Sequence, residues 1–182
     1  MAVNLKYETL EKLSIRRPVD RLSYIADRCT EKAVLDVGCF DETALQKRDT
    51  AHWLHGRIAS VARRVIGVDS SSAIPTEGLI TGENSVIFKG NGVDIDSRIL
   101  SIEKFQVIVA GEFIEHIESP LHFFLNIRKA FPGRELIIST PNGGCFANTA
   151  LGIIGREVQH HDHLHNFSFK ILNTLCLRAG FA

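Results

Sequence analysis

Apolar positions along the chain fall into two rhythms. Ala33 to Val37, Val65 to Asp69, Val86 to Lys89, Gln106 to Ala110 and Glu135 to Ser139 are short, nearly continuous apolar runs. Runs of that length and pattern predict strands buried on both faces, as in a parallel sheet. Between them the apolar residues recur at helical spacing. Pro18 to Cys29 carries Val19, Leu22, Ile25 and Ala26, with Asp20 near its start. Ala51 to Arg64 carries Trp53, Leu54, Ile58 and Val61, and Pro120 to Phe131 carries Leu121, Phe124, Leu125 and Ile127. Pro120 suits a first helical turn. Phe169 to Ala179 predicts a last amphipathic helix, with Ser168 as N-cap and Gly180 as stop. Asp41 to Thr50 is polar and reads as loop. Ser70 to Asn84 holds Pro75, Gly78 and Gly82, which leaves little room for helix.

Strands alternating with helices predict an α/β, doubly wound, mostly parallel sheet in the spatial order 3-2-1-4-5. At 182 residues the chain reads as one domain over 1–182. A helical lead-in occupies about 1–30 and the core about 31–182. Lys plus Arg and Asp plus Glu both number 21, so the formal net charge is zero, which argues against a large nucleic-acid surface. No apolar run reaches the length of a membrane span, and the N-terminus lacks the apolar stretch of a secretion signal. The cysteines, Cys29, Cys39, Cys145 and Cys176, form no C-x-x-C pair. Reduced thiols in a cytoplasm are the expectation.

Chemistry concentrates where the strands end. V-L-D-V-G-C, Val34 to Cys39, is a strand followed at once by a glycine able to turn tightly. The next strand closes on Asp69. A strand, a turn glycine, a crossover helix and an acid at the second strand's end make a nucleotide-binding βαβ unit, the acid placed to accept hydrogen bonds from a ribose diol. The full glycine fingerprint is absent, since Phe40 and Glu42 stand where two further glycines would be. That absence disfavours a nicotinamide-dependent oxidoreductase. Ligands of such sheets sit beyond the strands' carboxyl ends. The segments to inspect are therefore Gly38 to Glu42, Asp69 to Ser71, Asn91 to Asp94, Gly111 to His116 and Thr140 to Asn142.

Read together, these segments resemble the class I S-adenosylmethionine-dependent methyltransferases, and most closely the ubiquinone-biosynthesis O-methyltransferase group. V-L-D-V-G-C is similar to that superfamily's first motif, and V-I-G-V-D at Val65 to Asp69 to its second. G-E-F-I-E-H-I-E-S-P, Gly111 to Pro120, resembles its E-x-I-E-H segment. I-S-T-P-N follows the fifth strand, and His163 to Phe181 resembles the group's late helix. The resemblance implies S-adenosyl-L-methionine as cofactor. Asp36, Gly38, Cys39 and Phe40 would meet its methionine end, Asp69 and Ser70 its ribose, and Asn91 or Asp94 its adenine. Gly111 and Glu112 would pass beneath the sulfonium. The acceptor would be a small molecule or glycan-like compound, methylated on oxygen or nitrogen. Family members continue past A-G-F into a hairpin. The resemblance therefore implies an open sheet edge, covered by a second copy or a partner, which would expose Leu136, Ile137 and Ile138.

His116 or His163 is the candidate general base, since an imidazole titrates near neutrality. Trp53 and His55 are expected to pack the crossover helix, with an approach of His55 to the cofactor loop as the alternative. Cys39 reads as a small buried residue, because methyl transfer needs no protein nucleophile. Glu112, Glu115, His116 and His163 could alternatively hold a divalent ion, as in small-RNA 3′-terminal 2′-O-methyltransferases. E-x-x-E-H also occurs in metal-free relatives, so no metal is expected. A further alternative is an inactive scaffold whose site is blocked by Phe40 and Glu42.

Overall fold

A computed structural model describes residues 19–41, 43–48 and 50–181. Glu42 and most of the N-terminal lead-in lie outside the described residues. The chain runs α1 (Arg21–Cys29), β1 (Ala33–Val37), α2 (Ala44–Lys47), α3 (Leu54–Ala59), β2 (Arg64–Asp69), β3 (Leu79–Gly82) and β4 (Ser85–Lys89). It continues through α4 (Ser97–Ile102), β5 (Val107–Gly111), α5 (Pro120–Ala130), β6 (Glu135–Ser139), α6 (Phe146–Ile153) and α7 (Phe169–Arg178). The strands form one sheet in the order β3-β4-β2-β1-β5-β6, parallel throughout except for β3 against β4. The five strands legible in the sequence stand in the expected 3-2-1-4-5 order. The antiparallel sixth, β3, falls in a segment whose glycines and proline hid it.

Alternation along the strands explains the two-sided core. Leu35, Val37, Ile66, Val68, Ile108 and Ala110 point to one face and pack under α5 and α7, against Phe123, Phe124 and Ile127. Val34, Val65, Val107 and Val109 point to the other, against Ile25 and Cys29 of α1 and Ile58 of α3. Each strand of the centre thus buries both faces, which fixes its register. Asp36 shares its face with Val34, toward α3. β6 ends the sheet on the side away from β3.

Some elements differ from the sequence expectation. The crossover helix is confined to Leu54–Ala59, shorter than Ala51 to Arg64. The Asn84 side-chain amide donates to the carbonyls of Ala59 and Ala62, ending the helix there. Within the expected loop after β1 the one-turn helix α2 forms behind Thr43, and Asp41 braces its start, accepting from the Thr43 backbone at 2.7 Å and from Lys47 Nζ at 3.0 Å. α4 forms behind Asp96, whose side chain accepts from Arg98 N. α6 was not foreseen, and it buries none of its residues. The last helix starts as expected, with Ser168 accepting from Ile171 N. No helix among the described residues is long and apolar enough to cross a membrane.

Candidate active site

Tight turns at the strands' carboxyl ends open a cavity of about 880 Å³. Gly38 begins the first turn with φ +68°, a left-handed conformation that favours glycine. A Cβ on Gly38 would stand 2.3 Å from the Phe113 ring, so the turn also needs the missing side chain for space. Its N–H donates to Val68 O at 2.9 Å. The next two residues are pinned as well. Trp53 Nε1 donates to Cys39 O at 3.1 Å, and Phe40 N donates to Asp69 Oδ2 at 2.9 Å. Phe40 itself turns into a small cluster with Ala44, Trp53, Ile74 and Ile87. Its side chain is thereby stored in the wall, and the turn holds its shape without the later glycines of the fingerprint.

Asp69 accepts from Ser71 N as well, at 2.9 Å through Oδ1. Burial pushes its carboxyl above the ordinary aspartate value, and the N–H groups of Phe40 and Ser71 pull it back. Asp36 is 1% exposed and lines the same cavity. Its Oδ2 lies 2.9 Å from Nδ1 of His55, itself 1% exposed. Burial, together with the charges of Asp36 and Asp69, pushes the Cys39 thiol up, so it stays protonated and inert.

The opposite wall comes from the loop after β5. Glu112 has φ 55°, unusual for a residue with a side chain, and its N–H is held by Ser139 O at 2.8 Å. Arg21 of α1 reaches in beside it, 3.6 Å from Glu112 Oε1 and donating to Ser139 Oγ at 3.2 Å. The segment before α7 is zipped onto this loop. Leu164 N and His165 N both donate to Glu115 O, and His165 Nε2 donates to Ile117 O at 3.0 Å. His116 and His163 meet edge to face with centroids 4.7 Å apart. Burial, then the neighbouring His116 and His160, hold His163 below the usual imidazole value, so it is neutral at pH 7. His116 Nδ1 sits 3.3 Å from Asp162 O; as the donor there, it leaves Nε2 free to accept.

Asp36, Gly38, Cys39, Phe40, Asp69, Ser70, Asn91, Gly111, Glu112, His116 and His163 all line the cavity. Asp94 does not: its Oδ1 accepts from Asn126 Nδ2 at 2.7 Å, so it ties the loop to α5 and Asn91 is left at the rim. Sequence reasoning missed Arg21 and Phe113. Arg21 looks like any helix-surface cation until the helix is docked. Phe113, between two acids in G-E-F-I-E-H, was there to be noticed.

One group behind the cavity lining is out of keeping with its surroundings. Glu115 is 1% exposed and neither carboxylate oxygen makes a hydrogen bond of good geometry, although the Thr140 hydroxyl and its own backbone N–H lie near enough to favour the ionised form. Burial raises its carboxyl above the ordinary glutamate range. Ligand atoms of Glu115, His116 and His163 lie within 4.8 Å of one another, a donor set that fits a divalent ion.

A protein-family model described as a methyltransferase domain matches residues 8–182. No curated protein matches the chain. Among solved structures, the small RNA methyltransferase HEN1 is similar over 96% of this chain and 23% of its own, at TM-score 0.62 and 21% identity. An S-adenosylmethionine-dependent methyltransferase from Mesorhizobium loti is similar over 88% of this chain and 79% of its own, at TM-score 0.54 and 15% identity. A SAM-dependent methyltransferase from Aquifex aeolicus covers the same shares, at TM-score 0.52 and 12% identity. Likeness at these identities is likeness of fold. The chain belongs to the methyltransferase domain family and carries the Rossmann-like fold of the class I, S-adenosylmethionine-dependent enzymes.

Proposed function

We propose that the chain binds S-adenosylmethionine and transfers its methyl group to an oxygen or nitrogen of a small-molecule or glycan-like acceptor. The observation that carries this is one cavity with Asp36 and Asp69 in one wall and His116 and His163 in the other. Its volume suits a nucleoside-sized ligand with an acceptor beside it. The donor set fits the cofactor. Asp69 keeps lone pairs for a ribose diol, Asp36 offers a carboxyl oxygen to the ammonium group, and Arg21 is a cation for the carboxylate. Asn91 stands where the adenine edge would lie. When bound, S-adenosylmethionine supplies an electrophilic methyl on a sulfonium. The residues align the acceptor, and His163, held neutral, or His116 takes its proton. Oxygen is favoured among acceptors by the likeness of Gly111 to Pro120 and His163 to Phe181 to the ubiquinone-biosynthesis O-methyltransferases. Calorimetry with S-adenosylhomocysteine tests the binding half, and no binding at millimolar concentration would sink it. His163→Ala should keep cofactor affinity within about threefold while losing about 10²-fold or more in turnover, measured with labelled methyl donor and a panel of hydroxylated acceptors.

A second reading rests on Glu115. A buried, unpartnered carboxylate beside two imidazoles is what a divalent ion would satisfy, and it would serve an acceptor ribose at an RNA end. The first reading expects magnesium, manganese or cobalt to leave the melting temperature unchanged. The second expects a stabilisation that vanishes in both His116→Ala and His163→Ala.

A further inference from the structure

We infer that His55 is a positioning residue that holds Asp36 for the amino group of the cofactor's amino-acid end, an inference that rests on the cofactor reading above. Both nitrogens of the His55 ring are engaged. Nδ1 meets Asp36 Oδ2 at 2.9 Å and Nε2 meets Thr81 Oγ1 at 3.1 Å, while Thr81 Oγ1 lies 2.8 Å from Ser85 Oγ. The Trp53 ring leans on it with centroids 5.1 Å apart. A ring bonded at both ends, with the Trp53 ring tilted against it, is held in orientation. Asp36 Oδ2 is therefore committed, and Oδ1 is the oxygen left for the cavity that Asp36 lines.

The surroundings are arranged around this contact. Gly67 is the register partner of Asp36 on the neighbouring strand. A Cβ there would stand 2.6 Å from Cys39 Sγ, 2.8 Å from Ile87 Cγ1 and 3.1 Å from His55 Cε1, so these three side chains together fill the space that any larger residue would take. Thr81 lies where the β3–β4 register shifts, between Ile80 and Gly82. An irregularity of that kind re-aims a side chain, here inward to His55. The antiparallel edge hairpin thereby reaches the cofactor wall through two side chains. A carboxylate wanted only for packing would be better replaced by an apolar residue. One held by a fixed ring at the cavity edge is set up to meet a cation.

The test compares S-adenosylhomocysteine with methylthioadenosine, which keeps the nucleoside and thioether and lacks the amino-acid end. Calorimetry on wild type, His55→Ala, His55→Asn and Thr81→Val reads both affinities. His55→Ala should lose about tenfold or more for S-adenosylhomocysteine and less than about twofold for methylthioadenosine. His55→Asn, whose amide nitrogen can stand near Nδ1, should recover most of the loss. Thr81→Val should show the same selectivity, more weakly. In an Asp36→Asn background, His55→Ala should add nothing. Equal losses for both ligands in His55→Ala and Thr81→Val, or no loss of S-adenosylhomocysteine affinity in His55→Ala, would overturn the assignment while leaving the cofactor reading intact. Wild type binding neither ligand would overturn both.

Discussion

Asp69→Ala should weaken S-adenosylhomocysteine binding by about 2–4 kcal/mol, roughly 30- to 1,000-fold, the largest loss expected of any single carboxylate in the cavity. Two effects add. The ribose hydroxyls lose a charged acceptor, and the Phe40 N–H that Asp69 holds at 2.9 Å loses its anchor, freeing the turn after β1. Asp69→Asn should lose less, because its amide oxygen can still hold one of these groups. The two variants separate further with pH. Only the ionised carboxylate accepts from both hydroxyls, and burial raises the Asp69 carboxyl above its ordinary value. Wild-type affinity should therefore be full above that raised value and fall as pH drops through it, earlier than a solvent-exposed aspartate would allow. Asp69→Asn should lack this limb. Calorimetry from pH 4 to pH 8 measures both; a wild-type profile identical to that of Asp69→Asn would remove Asp69 from the ribose site.

Glu115→Met should raise the melting temperature, measured in chelator. A buried carboxyl with both oxygens unpartnered costs about 1–3 kcal/mol, and an unbranched apolar side chain of similar length removes that cost. For a chain of this size the gain corresponds to roughly 2–10 °C. The pH dependence follows from the raised carboxyl. Folding holds the Glu115 proton more tightly than the unfolded chain does. Its contribution to stability is therefore fully present below the ordinary glutamate value and lost as pH rises through the raised one. The advantage of the methionine variant should thus be small in acid and largest at neutral pH. A variant less stable than wild type at pH 7 would mean the carboxylate is satisfied in solution.

Strand order and the two cavity acids were legible because both follow from chain-local patterns. Buried parallel strands announce themselves as apolar runs, and the ligand-facing residues are simply those that come next. Between Asn91 and Asp94 the sequence left the choice open, because G-N-G-V-D-I-D offers two polar residues to the same rim. In the structure Asn126, on a helix that the sequence does not tie to that loop, draws Asp94 away from the cavity lining. His55 was readable as a packing residue of the crossover helix and not as a partner of Asp36. That pairing exists only once α3 lies on the face that Asp36 shares with Val34. β3 was hidden because its register shift and glycines break the alternation by which a strand is recognised. Arg21 was invisible for a related reason, since its role depends on how α1 docks beside β6.

The pairing of the central strands carries a consequence for how the chain acquires its shape. β1 is complete at Val37, yet its second neighbour is β5, with Val34 opposite Val107, and β5 in turn waits for β6, with Val107 opposite Glu135. Most of the ladder is therefore non-local, the kind of topology that folds slowly. On a ribosome, β1, β2 and β4 would emerge and pair while one side of β1 still lacked its neighbour. For the time needed to synthesise some seventy residues, that apolar edge would stand open to other chains. A nascent-chain pull-down stalled near residue 100 should accordingly capture holdase chaperones, and one stalled well past β6 should not.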